Sequence, residues 1–287
     1  MLVLPARAKL NLTLEVVGRR PDGFHDLRSV VVGLDWHDLV GVSVRPAATP
    51  SIALSVTGMA VTPEMPVGPG NLAHAAATAL ATLTPTPCSI EVWLDKRLPA
   101  GAGLGGGSSD AAAVLRAGSM LFDIDPDALR DAAESLGSDV PATLAGGRLV
   151  VSGRGEQITQ IGPGPQLHVA VAVVGHSSTS ATFAAIFDEE CAGNGCANRV
   201  LDALSSGRNP DRSDLGSSLE PAAARANPAL GPGLERLRAR LPEARWVLTG
   251  SGGAAFALVP TAPEAASLAC RVRDELGLIA RACHTVE

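Results

Sequence analysis

Between residues 99 and 112 the chain reads PAGAGLGGGSSDAA, and five of the seven residues from Gly101 to Gly107 are glycine. A run with so few side chains cannot pack a core, and ordering it is entropically costly. It leads straight into an alanine-rich segment whose spacing predicts a helix over 108–121. Glycines let successive N–H groups converge on one point, and a helix N-terminus adds positive potential there. A plain turn before a helix needs one or two glycines, so five point to a bound polyphosphate. Gly101-x-Gly103-x-x-Gly106 formally matches a dinucleotide fingerprint. However, residues 95–100 separate it from the preceding strand, and no acidic residue closes a second strand about 20 positions on. Asp125 opens a helix instead. No lysine follows the glycines, which excludes a Walker A loop. The segment is a phosphate loop of another kind.

The 287 residues suffice for two modest domains. With 46% apolar and 18% charged residues the chain is not disordered. A net charge of −6 argues against a nucleic-acid partner, and aromatics at 3% with no tyrosine offer little for base-stacking platforms. No apolar run approaches the roughly 20 residues of a membrane helix, so no membrane partner is expected. The start, MLVLPARAKLNLTLEVV, lacks a signal-peptide layout. Five scattered cysteines read as reduced thiols, and the expected location is cytoplasmic.

Residues 8–16 alternate leucine and valine with Asn11, Thr13 and Glu15, the pattern of a strand with one buried face. A Pro-Asp-Gly turn follows, then further strand over 27–45. Helices are expected over 71–83, from Asp125-Pro126 to Gly137, over 234–241 and over 262–276. Strands are expected over 89–94, 149–152, 169–174, 246–248, 254–259 and from 278 onward. Residues 189–218 read as a long polar loop around one short helix. Helices and strands mix without regular alternation, so the fold class is α+β. A boundary near 155–165 divides the sequence into two parts, 1–160 and 161–287.

Three motifs then combine: Pro5-Ala6-Arg7-Ala8-Lys9-Leu10-Asn11-Leu12, the glycine loop, and Leu248-Thr249-Gly250-Ser251-Gly252-Gly253. Together they resemble the kinases of galactose, homoserine, mevalonate and phosphomevalonate. That resemblance implies a two-domain α+β small-molecule kinase with its active site in the cleft between domains, using ATP and Mg²⁺. AKLNLTLEVVGRRPDGFHDL is similar to the branch of the family that phosphorylates a cytidyl diphosphate sugar-alcohol in non-mevalonate isoprenoid synthesis. Homoserine- or mevalonate-type kinases, and an inactive nucleotide-binding relative, remain the alternatives.

The resemblance assigns roles residue by residue. Asp139 becomes the base that accepts the hydroxyl proton, where its position before Pro141 would otherwise suggest only a helix cap. Lys9 becomes its electrostatic partner. Only two of the 23 basic residues are lysine, Lys9 and Lys96, and each borders a motif. ATP is expected on Asn71, Lys96 and the run Pro99-Ala100-Gly101-Ala102-Gly103-Leu104-Gly105-Gly106-Gly107-Ser108-Ser109. The acceptor is expected on Asn11, Phe24, His25, Thr179, Gly250, Ser251 and Gly252. Phe24 stands where that branch usually has tyrosine. His25 would read the polar edge of cytosine. Ser108 or Ser109 would offer a hydroxyl to Mg²⁺ or the β-phosphate, and no carboxylate metal ligand stands out beyond a possible Asp110.

Overall fold

The computed structural model describes all 287 residues. Two strands, β1 (Leu2–Arg19) and β2 (His25–Pro46), run for 18 and 22 residues, several times the usual five or six. The turn at Pro21-Asp22-Gly23 joins them and is closed by the Gly23 N–H on the Arg20 carbonyl at 3.0 Å. Their length lets each strand serve both compact units of the chain. One unit comprises Met1–Lys9, Trp36–Ala100 and Gly105–Ala145, and the other Leu10–Asp35, Gly101–Leu104 and Gly146–Glu287. The units are therefore interleaved in sequence.

In the first unit β3 (Ile52–Thr57) runs parallel to β4 (Cys88–Asp95), and β4 runs antiparallel to the end of β2, with Leu39 opposite Asp95. Parallel neighbours need a crossover, supplied here by α1 (Leu72–Leu83). β4 buries Cys88, Ile90, Val92 and Leu94 and exposes Glu91 and Trp93, the alternation of a half-buried strand. Three helices follow: α2 (Gly106–Leu121), α3 (Pro126–Leu136) and α4 (Val140–Ala145). α3 starts as expected, with Asp125 capping Asp127 N–H and proline in the first turn, and ends at Gly137. The core is aliphatic and alanine-rich: Ala73, Ala76, Ala77 and Leu80 of α1 and Ala111 to Leu115 of α2 are all fully buried. Small side chains allow close helix packing where aromatics are scarce. Trp36 is nearly buried, its indole N–H donating to the Arg97 carbonyl at 3.2 Å, while Trp93 is exposed.

The second unit continues with β5 (Arg148–Gly153), β6 (Gln157–Gln160), β7 (His168–Val173), α5 (Thr179–Ala184), α6 (Cys196–Ser205), β8 (Gly216–Ser217), α7 (Glu220–Ala226), α8 (Leu230–Arg240), β9 (Val247–Leu248), β10 (Ala254–Val259), α9 (Ala262–Leu276) and β11 (Ala280–Val286). β5 pairs antiparallel with the start of β2, and β6 with β5. β7 lies between β10 and β11, antiparallel to both, and β11 reaches β2 through Thr285 and Leu34. Every residue of β10 is buried. α8 and α9 contribute Leu234, Leu237, Leu268 and Val272 to a core that also holds Trp246, the largest fully buried side chain. α9 is capped by Thr261 at one end and left-handed Gly277 at the other. The 189–218 segment holds α6 as its one α-helix, with two short 3₁₀ turns.

Two readings of the sequence need correction. β1 is not solvated on its polar face: Asn11, Thr13 and Glu15 are as buried as the leucines between them, because each has hydrogen-bond partners. The short helices α5 and α7 form where the sequence reading named no element, and α8 begins four residues before Leu234. All five cysteines are free, and no helix is long and apolar enough to cross a membrane.

Candidate active site

In the first unit Lys9 and Asp139 meet: Nζ lies 3.4 Å from Oδ2, with the lysine side chain 13% exposed and the carboxylate 52% exposed. The lysine is thus held by packing, while the carboxylate remains open to a reactant. Asp139 stands just before α4, and its carbonyl accepts from the Thr143 N–H and hydroxyl, both at 3.0 Å. The backbone serves the helix start, and the carboxylate is turned to Lys9 instead. Thr143 also donates to the Ser108 carbonyl at 3.1 Å, fixing α4 against the head of α2.

The Lys9 stem runs along Gly105. That glycine precedes α2 in the left-handed conformation, φ 70°, and a Cβ there would fall 2.7 Å from Lys9 Cγ. Only glycine meets both demands. α2 begins at Gly106, so Gly106, Gly107 and Ser108 fill the first turn, where backbone N–H groups have no partner inside the helix, while the Ser109 N–H already donates to the Gly105 carbonyl at 2.8 Å. Ser109 is fully buried and donates to the Arg7 carbonyl at 2.6 Å, whereas Ser108 is half-buried.

Lys96 lies deep in the same unit between two aspartates. Its ammonium donates to Asp38 Oδ2 and, at 2.5 Å, to Asp110 Oδ2. All three side chains are at most 6% exposed. Asp38 Oδ1 accepts from the N–H groups of Arg97 at 2.5 Å and Leu98 at 2.7 Å. Burial pushes the Asp110 carboxyl up to about 7 against the pull of Lys96. Burial likewise opposes the charge on Lys96, yet Asp110 and Asp38 hold its ammonium above the usual lysine value. Asn71 caps α1, accepting from the Ala73 N–H at 3.0 Å and donating to the Pro66 carbonyl at 2.8 Å.

In the second unit, the start of the glycine loop meets the turn between β9 and β10 through bare backbone. A Cβ on Gly103 would lie 2.1 Å from the Gly252 carbonyl oxygen. The expected acceptor residues around that turn are mutually bonded. Thr179 and Ser251 share a hydroxyl contact at 3.0 Å, the Ser251 carbonyl accepts from Ser177 at 2.7 Å and Thr182 at 3.1 Å, and the Gly250 carbonyl accepts from Ser217 at 2.7 Å. Asn11 donates to the Ser29 hydroxyl at 2.7 Å, and its backbone N–H donates to Thr249 at 2.9 Å.

His25 opens β2, and its ring stands 5.8 Å from the ring of Phe183 on α5. Burial and the nearby Arg19 charge lower its pKa, so the imidazole is neutral at physiological pH. Phe24 is half exposed, with the Arg154 guanidinium 4.6 Å over its ring. Two aromatic faces and one neutral imidazole thus lie in a single unit, the equipment for holding a flat, polar-edged base.

Three residues here are not evident from sequence. Phe183 rides on a helix too short to show periodicity. Asp38 sits inside a strand, where the only hint is an ionisable residue among apolar neighbours in Trp36-His37-Asp38-Leu39. Glu15 accepts from the N–H groups of Asn194, Gly195, Cys196 and Ala197 at 2.6–3.2 Å and so anchors the start of α6. Its counterpart is backbone about 180 residues away, which leaves no trace in spacing.

A glycine loop at the head of α2, a lysine–carboxylate pair and a second glycine turn define a small-molecule kinase of the GHMP type. Residues 71–147 match the GHMP kinases N terminal domain. The 4-diphosphocytidyl-2-C-methyl-D-erythritol kinase of Pelotomaculum thermopropionicum is 34% identical over 96% of both chains. That of Polaromonas sp. is 39% identical over 90% of this chain and 83% of its own. A crystal structure of 4-(cytidine 5'-diphospho)-2C-methyl-D-erythritol kinase superposes with a TM-score of 0.79 at 31% identity, covering all of both chains. The chain belongs to the 4-diphosphocytidyl-2-C-methyl-D-erythritol kinase family.

Proposed function

We propose that this enzyme transfers the γ-phosphoryl group of ATP to the 2-hydroxyl of 4-diphosphocytidyl-2-C-methyl-D-erythritol, with Asp139 and Lys9 as its catalytic pair. The 2-hydroxyl oxygen forms a bond to the γ-phosphorus as the bond from that phosphorus to the β,γ-bridging oxygen breaks. The hydroxyl proton passes to Asp139, and ADP leaves. Lys9 holds the carboxylate in place and offsets charge developing on the attacking oxygen. The observation that carries this reading is the 3.4 Å Lys9–Asp139 pair beside Gly105, at the point where the phosphate loop becomes α2.

The triphosphate is assigned to the unpaired N–H groups of the glycine run and the first turn of α2. Mg²⁺ neutralises charge on the β- and γ-phosphates when bound. The chain gathers no three His, Cys, Asp or Glu side chains around a point, which suits an ion that arrives with the nucleotide and keeps most of its waters. Ser108 is the hydroxyl free to meet it, since Ser109 is committed to Arg7. His25, Phe24 and Phe183 are assigned to cytosine. The net charge of −6 and five free cysteines favour a cytoplasmic enzyme that binds no nucleic acid.

The test is ADP release with the cytidyl substrate, mevalonate and homoserine in parallel. Turnover on the cytidyl substrate at least 100-fold above the other two is expected. Comparable turnover on mevalonate or homoserine overturns the substrate assignment.

A further inference from the structure

Lys96 was expected to face the nucleotide, yet its ammonium is consumed by two buried carboxylates. Asp38 is itself fully buried, and its second oxygen holds the N–H groups of Arg97 and Leu98, the residues that enter the phosphate loop. Asp110 is the fifth residue of α2, on the helix that the loop leads into. A single chain of contacts therefore runs from β2 to the entry of the loop and, through one ammonium, to its exit.

The cluster is costly. It holds two carboxylates against one ammonium, and Asp110 Oδ1 is buried without a partner. Such groups are stabilising only when fully matched, and an apolar trio of similar volume would be favoured on stability alone. Stability therefore does not account for these three residues. Fixing both ends of the loop does.

We propose that Asp38, Lys96 and Asp110 are positioning residues that set the spacing of the two ends of the phosphate loop, and hence its affinity for the nucleotide triphosphate, without touching ATP. Lysine suits this role and arginine does not. A compact ammonium reaches two carboxylates from a closed site, whereas a guanidinium is larger and planar.

This inference rests on ATP as the phosphoryl donor and is independent of the acceptor, so it is read by nucleotide binding as well as by turnover. The decisive variant is Asp110→Ala, because alanine favours the helix and removes the unmatched carboxylate. Calorimetry with a non-hydrolysable ATP analogue is expected to show about tenfold weaker binding, the scale of one charge-assisted contact. The KM for ATP should rise in parallel, the KM of the acceptor should stay within twofold, and the melting temperature should not fall. Asp110→Asn retains an oxygen for Lys96 and is expected to recover most of the affinity. Unchanged affinity in Asp110→Ala overturns the proposal. So does tighter binding, which would mean that the released Lys96 reaches ATP directly. A fall in melting temperature with both KM values unchanged would reduce the cluster to a structural one.

Discussion

Replacing Gly105 with alanine tests the catalytic assignment through a residue that carries no chemistry. Two effects are separable. The first is backbone strain, because φ 70° is the left-handed region, which costs a β-carbon residue about 1–2 kcal/mol. The second is steric. The new Cβ would lie 2.7 Å from Lys9 Cγ, where ordinary contacts begin at 3.4 Å. Lys9 Cγ must therefore yield by about 0.7 Å, and its ammonium, three bonds further out, moves with it. Misplacement of about 1 Å in a catalytic group typically costs about 100-fold in rate. The expected result is a folded enzyme, destabilised by about 1–2 kcal/mol, with kcat reduced about 100-fold. The assay is coupled ADP release at saturating substrates, with urea unfolding alongside. A double-mutant cycle with Lys9→Ala completes it. If Gly105→Ala acts through Lys9, adding it to Lys9→Ala costs little more. Fully multiplicative losses, or wild-type kcat in the folded single variant, would refute the reasoning.

Four further outcomes are expected. Asp139→Asn removes the proton acceptor and should lower kcat by about 100-fold or more at pH 8 with the fold intact, as circular dichroism would check. His25→Ala and Phe183→Ala should raise the KM of the cytidyl substrate about tenfold or more while leaving that of ATP unchanged, and Phe24→Tyr should be nearly silent. The His25 pKa is depressed, so the neutral form proposed to meet cytosine persists through neutrality; wild-type KM for the cytidyl substrate should rise only on acidification below the usual histidine range, and this dependence should vanish in His25→Ala. Glu15→Ala strips the partner from the N–H groups of Asn194, Gly195 and Ala197, leaving Cys196 with Asn194 alone, and should destabilise the chain by about 2–4 kcal/mol in urea, with Glu15→Gln intermediate.

The readable parts of this molecule are those where local chemistry dictates structure. β1 and α9 follow from periodicity, and α3 from Asp125-Pro126 and Gly137. The glycine loop announces itself because nothing else needs five glycines. The proposed catalytic pair is another matter: position in a motif nominates Lys9 and Asp139, but the sequence leaves Asp139 open to a mere capping role. Its carbonyl, not its carboxylate, turns out to serve α4. Polar residues in strands are where reading fails. Thr13 and Glu15 look solvated by alternation, and Asp38 falls on an apolar face with nothing in the sequence to show what pairs it, yet each is buried against partners 16 to 182 residues away. Spacing records a residue's neighbours along the chain and says nothing of backbone donors that arrive from elsewhere. Lys96 illustrates the same limit: adjacency to the loop suggests contact with nucleotide, and only the fold shows two carboxylates around it.

The aromatic poverty of the chain has an optical consequence. With no tyrosine, near-ultraviolet emission comes from three indoles alone. Trp246 is the only one in the second compact unit, fully buried and with its ring N–H unpartnered, a setting that shifts emission to the blue. Trp36 and Trp93 belong to the first, one nearly buried and one exposed. Phenylalanine at Trp36 and Trp93 would leave a single fluorophore reporting on one unit, and phenylalanine at Trp246 would leave the complementary pair. The order in which the two halves of this kinase lose their structure can thus be followed by light without attaching a label.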